Sequence, residues 1–435
     1  MPRLKTAILL IIVFLISSFM RTGVFVASLS IKHGSLQQAV DDTVLNKTDF
    51  SIVATRYGFL TLFANNLIST WKHRGQELTI DTRSQYVKQV KTPSRRSNGP
   101  NVIMVQVESL DYEVLGRKVE GKEVTPFLNS LIPRSLFFTS FFAQHTGQGG
   151  TSDADFSSLT SFYPLAYKPS FYARGLENLA TLPFVLQLNG YTTVAFHANK
   201  AGFWGRSSAF RKIGFEWFYS LRDFAGLPGK GIYVADGPFL DRTLKYLDKM
   251  VEPYFAYVIT MSSHGDFNRL KYVSEEMVDK EIRVPGGRQT ENYFRVINYV
   301  DNSLEKFLDG LLAQNKPFIM VIYGDHTSGL RSDEYVSRAA IAERVPLFII
   351  TGNEGDRRKI HSPSSQIDLP PTILSLVGIP SPSHWQGIDL ISQHRERLYL
   401  KNQRASVEST GEIKTLASND RDWEETVFAI ENYIR

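Results

Sequence analysis

Between Asn101 and Val377 short apolar runs alternate with longer amphipathic stretches, and that alternation leaves few architectures open. Residues 102–107, 136–142, 191–196, 254–260, 318–323 and 345–350 have the length of buried strands. Residues 125–132, 179–188, 239–250, 293–312 and 371–377 read as helices. Apolar strands separated by helices predict an α/β domain, with a mostly parallel central sheet covered by helices on both faces. The ligand site of such a sheet lies beyond the carboxyl ends of its strands. With 435 residues, 43% hydrophobic and 21% charged, the chain can bury a large core without staples. It contains no cysteine, which excludes disulfides, thiolate zinc sites and cysteine nucleophiles.

The strand ends carry the chemistry. Residues 102–107 run into Glu108-Ser109, and 136–142 lead to Gly149-Gly150-Thr151-Ser152-Asp153. Residues 194–196 end in His197, 258–260 are followed by Ser262-Ser263-His264, and 318–323 end in Gly324-Asp325-His326. Two glycines permit a sharp turn into a helix, leaving the Thr151 hydroxyl at a helix N-terminus, where a phosphate or a developing alkoxide is favoured. A plain capping role for Thr151 or Ser152 is the competing reading. Glu108, Asp325 and His326, with Thr151 as a fourth ligand, suit one divalent ion, Mn²⁺, Zn²⁺ or Mg²⁺, and metal contact would make the threonine a nucleophile. His264 could protonate a leaving alkoxide. In the loop from His197 to Arg206, Arg206 could take a phosphate bidentately and Trp204 could cover a glycerol-sized group. The alternative puts Phe203 and Trp204 in the core and Arg206 on the surface.

Ahead of this domain, Arg3 and Lys5 precede an apolar run at 7–19 that resumes at 24–29 after Arg21. This predicts an N-terminal membrane helix within 1–30 that holds the bulk of the chain on the extracytoplasmic side, with a cleaved signal peptide as the alternative. Residues 31–98 read as a juxtamembrane segment. Val53, Tyr57, Leu60, Phe63, Leu67 and Trp71 share one helical face, and a polar linker spans 83–100. The main domain is expected over 99–391 and a C-terminal subdomain with a small extra sheet over 392–435. The polar loop 266–289 is expected to move over the site. A net charge of +5 and a pI near 9.0, without an arginine-aromatic pattern, speak against nucleic acid and for an anionic membrane surface.

Several motifs in one order resemble the lipoteichoic acid synthase and phosphoglycerol transferase branch of the alkaline phosphatase and sulfatase superfamily. They are Asn101 to Ser109, Gly121 to Leu128, the turn Gly149 to Phe156, His197 with Phe203, Trp204 and Arg206, Tyr323 to His326, and Ile367 to Leu374. The resemblance implies one metal, usually manganese, on Glu108, Thr151, Asp325 and His326. It implies that Thr151 attacks the phosphodiester of phosphatidylglycerol, with His197, Trp204, Arg206 and His264 holding the phosphoglycerol. A hydroxyl of a polymer, glycolipid or glucan then accepts it. Phosphoethanolamine transfer, a plain phosphodiesterase and a catalytically silent lipid- or polymer-binding domain are the alternatives. Asn199 stands where some relatives carry an acidic residue. Threonine at the nucleophile position, with no cysteine for formylglycine, speaks against sulfate ester hydrolysis.

Overall fold

A computed structural model describes residues 78–90, 99–144, 150–165, 169–332, 335–336, 342–351, 357–401, 404–417 and 419–433. The expected membrane helix, the amphipathic stretch at 53–71 and Gly149 lie outside these residues. Within them, no helix is long and apolar enough to cross a membrane.

Eight strands form the central sheet: β1 (Asn101–Val107), β2 (Leu136–Phe138), β3 (Thr192–His197), β4 (Trp217–Tyr219), β5 (Tyr254–Ile259), β6 (Phe318–Gly324), β7 (Leu347–Thr351) and β8 (Arg358–Ile360). Their order is β8-β2-β7-β6-β1-β5-β3-β4. All neighbours pair in parallel except β7, which runs antiparallel to both β6 and β2. This is the mostly parallel α/β sheet expected. It departs from the sequence reading at residues 136–142, where the single expected strand is broken into β2 and a short piece, Phe141–Phe142, that pairs with Ser364–Ser365 outside the sheet.

Strand residues alternate between two cores. Val102 and Met104 of β1 join one cluster, and Ile103, Val105 and Val107 join the other, so both faces of the sheet are dry. The helices α1 (Thr82–Gln89), α2 (Pro126–Leu131), α3 (Thr151–Thr160), α4 (Leu182–Leu188), α5 (Arg206–Lys212), α6 (Asp236–Leu247), α7 (Arg288–Ala313) and α8 (Leu369–Leu376) cover it. The first face takes α3, α4 and α8 through Phe156, Leu159, Val185 and Ile373. The second takes α2, α6 and α7 through Phe127, Leu128, Phe239 and the buried row from Tyr293 to Leu311. Truncating such a ring as Phe156 to alanine costs about 3–5 kcal/mol.

Two stretches behave differently from the reading of the sequence. Residues 83–89 were expected in a linker but form most of α1, which docks through buried Tyr86, whose hydroxyl donates to the Pro380 carbonyl at 3.0 Å. The Asp81 side chain caps the helix by accepting from the Ser84 N–H at 3.0 Å. The loop expected over 266–289 reads as polar, yet its 266–287 part buries Phe267, Leu270, Tyr272, Val273, Val278, Ile282 and Val284, and Arg288 and Gln289 begin α7. These spaced apolar side chains tie it to the body. At the C-terminus, β9 (Arg397–Leu400), β10 (Ala405–Glu408) and β11 (Ile413–Thr415) form the expected antiparallel sheet, followed by α9 (Arg421–Val427). The middle strand β10 was not foreseen, because Ser406 interrupts its short apolar pattern.

Candidate active site

Register brings the first residues of the site together. β1 pairs β6 so that Val107 stands opposite Gly324, and the next residues, Glu108 and Asp325, emerge side by side at the carboxyl rim. On the other flank β1 pairs β5, with Gln106 opposite Ile259, and β3 pairs β5, with His197 opposite Ile259. The loop carrying His264 and the ring of His197 therefore reach the same rim. Glycine is required at 324, because a Cβ there would lie 2.6 Å from the Leu110 carbonyl oxygen.

Thr151 arrives from another direction, as the first residue of α3. Gly150 precedes it at φ 46° and ψ −118°, a conformation that glycine alone adopts without strain. All ten residues of α3 are buried. The Thr151 hydroxyl donates to Glu108 Oε2 at 2.9 Å, and Ser109 donates to Glu108 Oε1 at 3.0 Å. A strand end and a helix N-terminus thus meet at one carboxylate.

Glu108, Asp325 and His326 each offer a ligand atom within 4.8 Å of the others, the one such cluster found among the described residues. Asp325 Oδ1 accepts from the N–H groups of Ser109 and His326, both at 2.7 Å, whereas its buried Oδ2 has no hydrogen-bond partner among the described residues. His326 Nδ1 lies 2.9 Å from the Thr327 carbonyl and so donates to it, which turns Nε2 toward the two carboxylates. His326 Nε2 faces Glu108 Oε1 at 3.2 Å and Asp325 Oδ2 at 3.4 Å. Lone pairs converging in a buried space require a cation or a proton between them. Burial pushes the Asp325 carboxyl up, and the neighbouring Glu108 charge pushes it further. Burial opposes the charge on His326, but Asp325 and Glu108 outweigh it and hold the imidazole well above its usual range. Glu108 is held low against burial by hydrogen bonding and charge from His326. The set fits a divalent ion of hard-to-borderline character.

A cavity of about 200 Å³ opens over this cluster, lined by Glu108, Ser109, Thr151, His197, Trp204, Arg206, His264 and His326 among others. Seven of the eight site residues named from the sequence therefore border one space, and the eighth, Asp325, lies buried beneath it in the cluster with Glu108 and His326. A larger cavity of about 1220 Å³ lies on the far side of the 199–207 loop, along β4, and contains none of them. His197 is buried, and its Nδ1 lies 3.0 Å from the Ile259 carbonyl; burial and the Arg206 charge push its pKa down to about 3, so it stays neutral with Nε2 as an acceptor. His264 Nδ1 is buried with no hydrogen-bond partner among the described residues. Trp204 adopts φ 57° and packs edge-on against half-exposed Phe203.

Arg206 is neither the free phosphate clamp nor the surface residue that the sequence suggested. It is 1% exposed, and its Nε and Nη2 both lie 2.8 Å from Asp155 Oδ2. Asp155 Oδ1 accepts from Gln106 at 2.7 Å and from Tyr257 at 2.9 Å, and Tyr323 joins through Gln106 at 2.7 Å. Only the remaining guanidinium edge can face the cavity. Asp155 was missed, although its i+4 spacing from Thr151 places both on one face of α3. Asp236 was missed as well: its two oxygens accept the N–H groups of Met261 and Ser262 at 2.9 Å each, which fixes the loop carrying His264.

The family model described as Sulfatase matches residues 100–379. Lipoteichoic acid synthase 2 of Bacillus subtilis (strain 168) is 33% identical over 332 residues, 71% of this chain and 50% of that protein. The chain spans about half the length of the curated relatives it matches. In fold it is similar to the lipoteichoic acid synthase LtaP from Listeria monocytogenes, with a TM-score of 0.65 at 20% identity over 80% of this chain and 97% of that one. It is also similar to the Streptococcus pyogenes phosphoglycerol transferase GacH, solved with sn-glycerol-1-phosphate, with a TM-score of 0.53 at 19% identity over 81% and 88% of the two chains.

Proposed function

Because the chain belongs to the sulfatase family, in the branch of the lipoteichoic acid synthases, we propose that it is a metal-dependent phosphoglycerol transferase with Thr151 as nucleophile. The observation that carries this reading is the Thr151 hydroxyl hydrogen-bonded to a carboxylate of a buried lone-pair cluster at a helix N-terminus. Glu108, Thr151, Asp325 and His326 would hold the ion, with manganese the first choice and magnesium or zinc the alternatives. When bound, a divalent ion supplies a lowered hydroxyl pKa and stabilises charge building on phosphate oxygens.

The remaining chemistry belongs to the side chains. Glu108 orients the Thr151 hydroxyl and lies on the side to which its proton departs. The Thr151 oxygen bonds to phosphorus as the bond to the diacylglycerol oxygen breaks, and His264 stands in the cavity to protonate that oxygen. Neutral His197 accepts from a glycerol hydroxyl, Trp204 covers the carbon skeleton, and the free edge of Arg206 donates to phosphate. In the second half, His264, now neutral, takes the proton of an acceptor hydroxyl of a polymer, glycolipid or glucan as that oxygen bonds to phosphorus; the bond to the Thr151 oxygen breaks and the threonine regains its proton from the Glu108 side. The small cavity accommodates a head group while the acyl chains remain outside.

The donor is phosphatidylglycerol in the outer face of the cell membrane, where the N-terminal apolar segment would anchor the chain. Incubating the full chain with Mn²⁺ and labelled phosphatidylglycerol tests the proposal. Diacylglycerol release that is lost in Thr151→Ala supports it, and release equal in that variant contradicts it.

A further inference from the structure

Two aromatic side chains line the mouth of the Thr151 cavity, and a third stands behind them against the same turn. Phe203 is 47% exposed, Trp204 packs against it with ring centroids 5.2 Å apart, and both line the cavity. Tyr172, 52% exposed, leans on the same short turn: a Cβ at Gly205 would lie 3.1 Å from its ring. Lys200, exposed at the start of that turn, adds a positive charge. Exposed rings beside a basic residue suit the interface between bilayer and water, where amphipathic aromatics settle.

The path of the chain indicates what covers this rim. The described N-terminus begins at Leu78, whose N–H donates to the Arg174 carbonyl at 3.0 Å, two residues beyond Tyr172. Just upstream the sequence carries the amphipathic row ending at Trp71, followed by Lys72 and Arg74, and further upstream the apolar runs at 7–19 and 24–29. Six residues lie between Trp71 and Leu78, so seven Cα steps give a reach of at most about 25 Å. An N-terminal segment held in the membrane would therefore deliver the chain to the domain beside the aromatic rim. Exposed Val251 stands just before β5, at the amino ends of the strands and so at the opposite rim of the sheet.

We propose that Tyr172, Phe203 and Trp204 seat in the interface of an anionic lipid bilayer, so that the mouth of the Thr151 cavity meets head groups in the plane of the membrane. What then enters the cavity rests on the phosphoglycerol-transfer reading; the docking itself does not. Absence of cysteine makes single-site labelling clean. Full-length Tyr172→Cys and Val251→Cys, each carrying an environment-sensitive dye, are mixed with vesicles of phosphatidylcholine and phosphatidylglycerol. A blue shift and quenching by a bilayer-embedded quencher at position 172, absent at 251, is the expected result. No shift at 172, or equal shifts at both, overturns the proposal. In turnover, Tyr172→Ser loses about fivefold in kcat/KM on vesicles but nothing on a short-chain phosphatidylglycerol in solution, and Tyr172→Trp restores the vesicle rate. Equal loss on both substrates overturns the proposal. Turnover of neither lipid by the unaltered chain, with the position 172 shift present, sinks the transfer reading and leaves the docking standing.

Discussion

Asp155 Oδ2 lies 2.8 Å from both Nε and Nη2 of Arg206, a salt bridge buried beneath the helix that presents Thr151. The pair ties the α3 helix to the loop that walls the cavity. It also offsets part of the guanidinium charge and fixes its orientation, while the remainder still bears on His197.

Removing one partner strands the other in a dry site. Asp155→Asn should lower stability by about 3–5 kcal/mol in urea melts, because an unpaired buried cation remains. The double variant Asp155→Leu with Arg206→Met should recover most of that stability while the donor KM stays raised. A double variant as unstable as the single one would show that the polar network, rather than charge balance, holds this region.

Two buried groups should tilt the pH dependence of stability in opposite directions. Burial pushes the Asp236 carboxyl up to about 6, so the folded chain holds a proton there that the unfolded chain releases near pH 4. Its contribution is complete below about pH 4 and is lost as pH rises through 6, a change of about 1–3 kcal/mol. His197 is the reverse. Its pKa falls to about 3 through burial and the Arg206 charge, so its contribution is complete above about pH 6.5 and is lost as pH falls towards 3. Melting temperatures of the unaltered chain minus those of Asp236→Asn should fall from pH 4 to 6, whereas the difference from His197→Gln should rise from pH 4 to 6.5.

Adding a divalent ion to chelator-treated protein should raise the melting temperature. At a hundredfold excess over Kd the gain is about 2.7 kcal/mol. Asp325→Asn removes a carboxylate whose Oδ2 lacks a hydrogen-bond partner among the described residues, and it should abolish most of the shift. A shift of unchanged size in that variant would place the ion elsewhere.

The strand ends were legible because each buried run stops abruptly at a polar residue, and parallel register then carries Glu108 next to Asp325. The partners of Arg206 were not. An arginine followed by serines looks solvated in sequence, and only the packing of α3 against the sheet shows that Asp155 pairs with it while Gln106 and Tyr257 hold Asp155 in place. The loop 266–287 misled for the opposite reason: its buried residues, Phe267 to Val284, have neither helical nor strand period and so read as polar filler. The break between Phe138 and Phe141 is likewise invisible in a run of aromatics, because Thr139 and Ser140 suit a strand; the Thr139 N–H pairs instead with the Ile360 carbonyl.

The central claim is a covalent bond between phosphorus and the oxygen of Thr151. Full-length protein exposed to phosphatidylglycerol and Mn²⁺, quenched in acid and digested, should yield the peptide containing Thr151 with the mass of one added phosphoglycerol, absent in Thr151→Ala. An unmodified peptide from protein that is actively releasing diacylglycerol, or an adduct that persists in Thr151→Ala, would contradict the account.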